Sequence, residues 1–505
     1  MSQDGRIKAY KKQLEKSGLP GDTYMEDVRQ KAKEGGREEK NNRQPLESDK
    51  DECQESICAV IDYVLAPALN GFVVWVLSQA MMRGIRRLYF LARDGYLMYR
   101  TACRYAESYR LPVECRYLYC SRYSVRIPGY HLSPEKALSY ITLGGLDVTA
   151  EKLYLRAGFD RERREAMHRA GILPYGKEEQ IPRKELALVR KRLLESRLFM
   201  ELLTENSRRA QPAYEAYLRQ EGMLEEIPVA LVDSGWVGSM QKELDASLKR
   251  LGRKKPLSGF YFGLYEVPPD VDRSRYHTYF FPPEGEIRRK VLFNNCLFET
   301  VFTAPHGMTL SYMAKKEKIK PSLTEISEER KKRLTGMEKR FAAWQEAFLR
   351  QRFSVGQRLP AGREAGVSFN RLAKDFQKRE TRRAIEKNME LFMHHPTKEE
   401  ARGFGGMDFT DDILENGGSR IAEELTRKEL RENHLVSRIF RELLSGGGYV
   451  RQSPWYEGSA AAYGKYPAYH IFWYTGYKYL LYYRKERARR KKYRAGARNA
   501  PAREM

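Results

Sequence analysis

Cysteine is sparse in this 505-residue chain and follows no pattern. Its six thiols, at Cys53, Cys58, Cys103, Cys115, Cys120 and Cys296, form no CxxC and no regular spacing, so neither a disulfide framework nor a structural zinc site is expected. Also missing are GxxxxGK[ST], a GxGxxG after a strand, HExxH and GxSxG, which removes the working parts of P-loop, dinucleotide, zincin and hydrolase-elbow sites. Long apolar runs are scarce. The longest near the start, Val64 to Leu77, is interrupted by Pro67, Asn70 and Gly71 and falls short of the ~20 residues of a bilayer span, so no membrane span is expected. The opening segment MSQDGRIKAYKKQLEK is charged throughout, which predicts no secretory leader there and a cytoplasmic setting.

What the chain has is positive charge on an apolar frame. Its 92 Lys and Arg outnumber 67 Asp and Glu for a net +25, with 41% hydrophobic and 12% aromatic residues, too apolar a composition for a wholly disordered chain. At about 150 residues per domain the length suggests two to four units. Residues 1–50 read as a disordered charged tail, 51–310 as an α/β core with a helical insertion at about 134–225, 311–455 as a helical region with a glycine-rich joint at Leu443 to Val450, and 456–505 as an aromatic and basic segment.

Within the core, IRRLYFLARDG predicts a strand over Leu88 to Leu91 that feeds a loop at Arg93-Asp94-Gly95, followed by a helix from Tyr96 to Tyr109. CRYLYCSRYS predicts a second strand ending at Ser121 and Arg122. IPVALVDSGWVGSMQKELDASLKRLG predicts a β-branched strand, a loop with two glycines and an amphipathic helix, and LSGFYFGLYEV a further strand. Strands separated by helices require crossover connections, so the expected fold class is α/β: a mostly parallel sheet, Rossmann-like, with helices on both faces.

Ligands of open α/β sheets collect at the carboxyl ends of the strands, which singles out Asp94, Ser121-Arg122 and Asp233 to Gly238. Asp94 and Asp233 are the candidate catalytic residues and also the candidate metal ligands, with Mg²⁺ as the expected ion. Arg93 and Arg122 suit phosphate, because a guanidinium makes bidentate bonds to its oxygens. Gly95, Ser121, Ser234, Gly235, Gly238 and Ser239 are expected to bind the substrate or its phosphate, the glycines by letting backbone amides approach an anion at a helix start. The competing reading makes these residues ordinary turns and helix caps. His306 and Glu299, both in FETVFTAPHGM, are further acid–base candidates.

The C-terminal run from Tyr469 to Tyr483 is crowded with aromatics and passes directly into Arg484, Lys485, Arg487, Arg489, Arg490, Lys491, Lys492 and Arg494. Aromatics beside a polybasic block suit an anionic membrane surface; a core helix with a solvated basic end is the alternative. No reader motif points to specific nucleic-acid binding.

The segments LAPALNGFVVWVL, RRLYFLARDGYLMY, RYLYCSRYS, VALVDSGWVGSMQ, SGFYFGLY and LFETVFTAPHG, scattered between about 64 and 310, resemble the second half of a bacterial family of hydrolases of the haloacid dehalogenase (HAD) superfamily associated with surface polysaccharide gene clusters. The resemblance implies an α/β fold and a role in glycan assembly. In that family the DxD nucleophile motif lies in a preceding half. Aligning Asp94 with either of its carboxylates leaves Ala92 or Tyr96 in the other's place. The expectation is therefore binding of a phosphorylated sugar, a nucleotide-sugar or a lipid-linked precursor and not ordinary phosphomonoester hydrolysis, with HAD-like hydrolase and sugar-phosphate transferase as the enzyme classes left open. The alternative is a non-catalytic scaffold at the inner face of the plasma membrane that recruits polysaccharide biosynthesis proteins.

Overall fold

The structure, a computed structural model, describes residues 3–15, 17, 19, 48–144, 148–352, 363–409, 419–445 and 450–498. Most of the expected charged tail, and Gly446 to Gly448 of the glycine-rich joint, lie outside the described residues.

Five strands form the central sheet: β1 (Arg87–Leu91), β2 (Glu114–Leu118), β3 (Val229–Trp236), β4 (Ser258–Leu264) and β5 (Tyr276–Phe281), in the order β2-β1-β3-β4-β5. Every pairing is parallel. The alternation of side chains along a strand sends them into two different cores. Leu88, Phe90, Ala230, Val232, Phe260 and Phe262 share one core with the Ala66–Met82 and Gly95–Ser108 helices. Tyr89, Leu91, Val229 and Leu231 face the other, where Tyr214 and Tyr217 of the Arg197–Gln220 helix and Leu244 and Leu248 of the Ser239–Arg250 helix cover them. A strand buried on both faces reads as the unbroken apolar run seen in RLYFL.

Between β2 and β3 the chain forms a run of helices with a core of its own around Leu138, Leu153, Met167, Leu193 and Phe199. The Arg197–Gln220 helix starts in that core and ends beneath the sheet, tying the two together.

Several expectations need correction. Residues 3–15, read as tail, form a helix with Ile7, Tyr10 and Leu14 buried, because an apolar stripe at that spacing finds the Arg379–His394 helix to pack on. The interruptions at Pro67, Asn70 and Gly71 do not break the apolar segment. Pro67 directly follows a π-helical turn over Ile61–Leu65, where the regular hydrogen-bond ladder is already interrupted; Asn70 donates to the Ala66 carbonyl and accepts from Tyr105; and Gly71 leaves room for Tyr279, whose Oη lies 2.6 Å from where a Cβ would stand. The resulting helix over Gln54–Met82 is long and apolar enough to cross a membrane, and 89% of its most apolar window is buried inside the fold. β5 was not foreseen, nor was the hairpin of β6 (Thr309–Lys315) and β7 (Lys318–Leu323), whose lysine-rich sequence masks its alternation.

The helical region beyond that hairpin joins the same core as the sheet: Trp344, Phe369, Met389, Phe404 and Trp455 continue the cluster around the Ala66–Met82 helix. Two buried ion pairs fasten it. The Asp62 side chain is fully buried and receives Arg340 through Nε at 2.8 Å, while Trp344 Nε1 donates to the Asp62 carbonyl at 2.9 Å. Arg6 meets Glu400 at 3.0 Å, and Tyr10 Oη donates to the same carboxylate at 2.6 Å. Removing one partner of a buried pair strands the other charge. Arg340→Ala should therefore lower the unfolding free energy by about 3–5 kcal/mol. Arg350→Ala, which removes an exposed pair with Glu346 one helical turn away, should cost at most about 0.5 kcal/mol. Urea unfolding of both variants checks this, and equal small losses would contradict it.

Candidate functional site

β1 and β3 lie side by side, and their last paired residues are Phe90 and Val232. β1 ends at Leu91 and turns into the loop carrying Arg93 and Asp94. β3 continues along β4 alone, pairing Asp233 with Tyr261, Gly235 with Gly263 and Trp236 with Leu264. The extension sets Asp233 and Ser234 beside the β1 loop. Ser234 Oγ donates to Asp94 Oδ2 at 2.7 Å. Asp94 occupies the position just before the Gly95–Ser108 helix but makes no capping bond to it, so its carboxylate is directed across to β3 and not spent on the helix amides.

A third carboxylate joins these two. Glu299, on the Asn295–Phe302 helix, accepts a hydrogen bond from Trp236 Nε1. Burial pushes Glu299 up to about 8, and the charges of Asp94 and Asp233 add to the rise. Burial together with the Asp94 charge lifts Asp233 to about 7. Asp94 is also raised by burial, against the opposing pull of Ser234, Arg93 and Arg122. Three half-buried carboxyl groups that feel one another lose protons as a unit. Near neutral pH the trio holds at least one proton, which gives it both a carboxylate and a carboxylic acid. Arg93 and Arg122 supply the compensating positive charge, and Arg122 is exposed at the rim.

Aromatic rings wall one side. Tyr96 and Tyr117 lie with centroids 5.6 Å apart, Tyr96 and His306 6.2 Å, and Tyr119 and His306 5.1 Å. Tyr117 feels the charges of both Asp94 and Arg93. His306 does not have the acid–base freedom expected of it. Its Nδ1 lies 2.8 Å from the Gly307 carbonyl, which can only accept, so Nδ1 carries the proton and Nε2 accepts from Tyr117 Oη at 2.9 Å. Burial lowers its pKa, against the Gly307 carbonyl, which raises it. His306 is a neutral ring that orients Tyr117.

The remaining candidates divide. Ser121 caps the Arg122–Arg126 helix: it accepts from the Ser124 amide at 3.0 Å and donates to the Thr309 carbonyl at 2.6 Å, so its hydroxyl is occupied by structure. The expected phosphate loop at Gly235 to Gly238 is not a free loop, because β3 runs through Trp236. At Gly235 (φ +111°) a Cβ would stand 2.4 Å from the Gly263 carbonyl of the neighbouring strand, and at Gly238 (φ +66°) 2.8 Å from Tyr276. These glycines serve close packing at positive φ. Gly95 likewise lets its helix start against Phe90, where a Cβ would lie 3.1 Å from the backbone. Ser239 opens the next helix. Trp236 and Tyr117 were not singled out from the sequence; a tryptophan two residues after a strand-end serine is the signal that was available.

Among the described residues no group of three or more His, Cys, Asp or Glu is arranged to hold a metal ion. Two mutually repelling carboxylates, Asp94 and Asp233, nevertheless fit an ion such as Mg²⁺, which takes one or two protein carboxylates and fills its octahedron with phosphate oxygens and water. No family model matches the chain, and no curated protein matches it.

The shifts fix a sign for pH dependence. Asp233 and Glu299 hold their protons more tightly in the folded chain than at their ordinary values of 3.8 and 4.5. The stability this contributes is full below those ordinary values and is lost as pH rises through about 7 and about 8. Glu299→Gln cannot ionise, so its stability relative to the parent should improve from pH 5 to about pH 8 and level off above it. Denaturant midpoints across that range test this; a difference that does not change with pH would contradict the assignment.

Proposed function

We propose that the crevice at the ends of β1 and β3 binds the phosphoryl group of a phosphorylated sugar, a nucleotide-sugar or a lipid-linked precursor, in a HAD-like arrangement serving surface polysaccharide biosynthesis. The observation that carries this reading is the convergence of Asp94, Asp233 and Glu299 with Arg93 and Arg122 where the strand order reverses, the place at which open α/β sheets take their ligands. In this reading Arg93 and Arg122 hold phosphate oxygens. Asp94 and Asp233 would hold Mg²⁺, which when bound would neutralise charge on the phosphate. Glu299, protonated near neutral pH, gives a proton to the leaving oxygen as its bond to phosphorus breaks and an oxygen of water (hydrolysis) or of an acceptor hydroxyl (transfer) bonds to phosphorus in its place. The half-buried rings of Tyr96, Tyr117 and Tyr119 offer a face for a sugar ring or a base.

Thermal denaturation with sugar phosphates, nucleotide-sugars and nucleotides, with and without Mg²⁺, tests the reading. A ligand at 100 times its dissociation constant should add about 2.7 kcal/mol, and Asp94→Asn should abolish the shift. No shift from any class, with Asp94→Asn as stable as the parent, would overturn it.

A second reading has its own support. The Leu435–Ser445 helix exposes Leu443 (77%) and Leu444 (81%) together with Val436 and Phe440 on one face, and the adjoining Pro467–Arg498 helix exposes Phe472 (70%), Tyr479 and Tyr483. Leu435 packs at Gly476, and Arg484 pairs with Glu442 at 2.8 Å, so the two helices lie together. Arg484, Lys485 and Arg487 are exposed beside this apolar surface. Such a face suits an anionic bilayer surface. It would bring the crevice to lipid-borne substrates, because Tyr482 of the same helix stacks on Tyr265 (5.7 Å), which in turn lies 5.9 Å from Trp236. In flotation with vesicles containing phosphatidylserine, the full chain should bind in a salt-sensitive manner, and a Leu443→Ser/Leu444→Ser/Phe472→Ser variant should lose most of that binding. Equal flotation of both would contradict the membrane reading.

A further inference from the structure

The connection from β1 to β2 brings two thiols together away from the crevice. β1 and β2 are parallel, so the Gly95–Ser108 helix that joins them must run back along the sheet, antiparallel to β2. The sheet-facing side of the helix is marked by Tyr99, whose ring lies 6.0 Å from Phe90 of β1 and 5.7 Å from Tyr117 of β2. Cys103 follows one turn later, about 6 Å along the helix. Cys115 stands two residues before Tyr117, about 6.6 Å along the strand in the same direction and on the same face. The two sulfurs therefore form the next rung after the tyrosine pair, and there the Cys115 thiol donates a hydrogen bond to Cys103 Sγ. Both are free thiols and both are half-buried, whereas Cys120 is buried in the core on the opposite face of the sheet.

The shared bond makes the two thiols unlike. Donation from Cys115 lowers Cys103 to about 7; the Tyr99 hydroxyl and the Arg100 charge act in the same sense, and burial and Glu107 oppose them. The same bond, together with burial and the Glu114 charge, raises Cys115, which keeps its proton. A thiolate held against a thiol lets one sulfur attack and the other resolve.

We infer that Cys103 and Cys115 are a redox-responsive pair that closes into an internal disulfide by exchange with a small-molecule disulfide. The Cys103 thiolate attacks one sulfur of the small disulfide, forming a mixed disulfide and releasing the other half as a thiolate. Cys115 gives its proton to that thiolate and attacks the Cys103 sulfur, which expels the second half. The chain loses two electrons and the Cys115 proton, and the small disulfide departs as one thiol and one thiolate. The bridge ties the helix that carries Tyr96 to the strand that carries Tyr117, and it does not depend on whether the crevice binds a phosphoryl group.

Incubation of the full chain in glutathione buffers of graded oxidised-to-reduced ratio, followed by acid quench, alkylation and tryptic peptide mapping, tests the inference. The expected product is the peptide Thr101–Arg104 joined to Leu111–Arg116, in a yield that rises with the oxidised fraction and disappears on adding dithiothreitol. Cys115→Ala should instead trap glutathione on Cys103, and Cys103→Ala should leave Cys115 unmodified. Iodoacetamide should alkylate Cys103 of the parent with a midpoint near pH 7, and about tenfold more slowly at that pH in Cys115→Ala, which lacks the donor. The parent map decides the pairing if a variant folds poorly. Glutathione held on Cys103 of the parent without the linked peptide, pairing of Cys103 with another cysteine, or both thiols unmodified in oxidised buffer would overturn the inference.

Discussion

Parallel strands cannot be joined by tight turns, and everything about the candidate site follows from where their crossovers go. The chain leaves β1 through the Gly95–Ser108 helix to reach β2 on one side and leaves β3 through the Ser239–Arg250 helix to reach β4 on the other. The two departures diverge at the adjacent ends of β1 and β3. There the chain places Asp94 from one strand end and Asp233 from the other, and the Asn295–Phe302 helix adds Glu299. Had both helices left on the same side, the same residues would have been buried beneath one of them.

Bringing three carboxyl groups together out of bulk water works against folding, and the surrounding structure bears that cost. Ser234 and Trp236 donate to two of them, Arg93 and Arg122 oppose their charge, and the raised pKa values record the remaining tension. The scaffold is held elsewhere. The Gln54–Met82 helix is almost wholly buried under the sheet, and the helices of the second half of the chain close over it through the Asp62–Arg340 and Arg6–Glu400 pairs. Strain confined to a site and carried by a rigid frame is the usual arrangement for groups that must be ready to react.

Much of this was legible in the sequence. RLYFL and VALVDSGW announce buried parallel strands by their unbroken apolar runs, and placement at a strand end was enough to nominate Asp94, Asp233, Arg93 and Arg122 before any contact was known. Local reading could not see partners. Ser121 and Ser234 are both strand-end serines, yet one caps a helix and the other holds Asp94, a difference made by which strand lies next door. The glycines of DSGWVG suggest a phosphate loop until the neighbouring strand shows that they are clearances for Gly263 and Tyr276. His306 looks catalytic until the Gly307 carbonyl and Tyr117 fix both of its nitrogens. The N-terminal helix and the β6–β7 hairpin were hidden because charged residues dilute their apolar pattern and only tertiary packing stabilises them.

The central claim is that Asp94 and Glu299, about two hundred residues apart in sequence, share one electrostatic environment. A double-mutant cycle of Asp94→Asn and Glu299→Gln, read as unfolding free energy at pH 5 and pH 9, tests it most directly. Each substitution alone relieves the same repulsion, so at pH 9 the double variant should gain less than the sum of the singles, and at pH 5, where Glu299 is largely protonated, the shortfall should shrink. Additive effects at both pH values would mean that the two groups do not interact and that the crevice is not a single site.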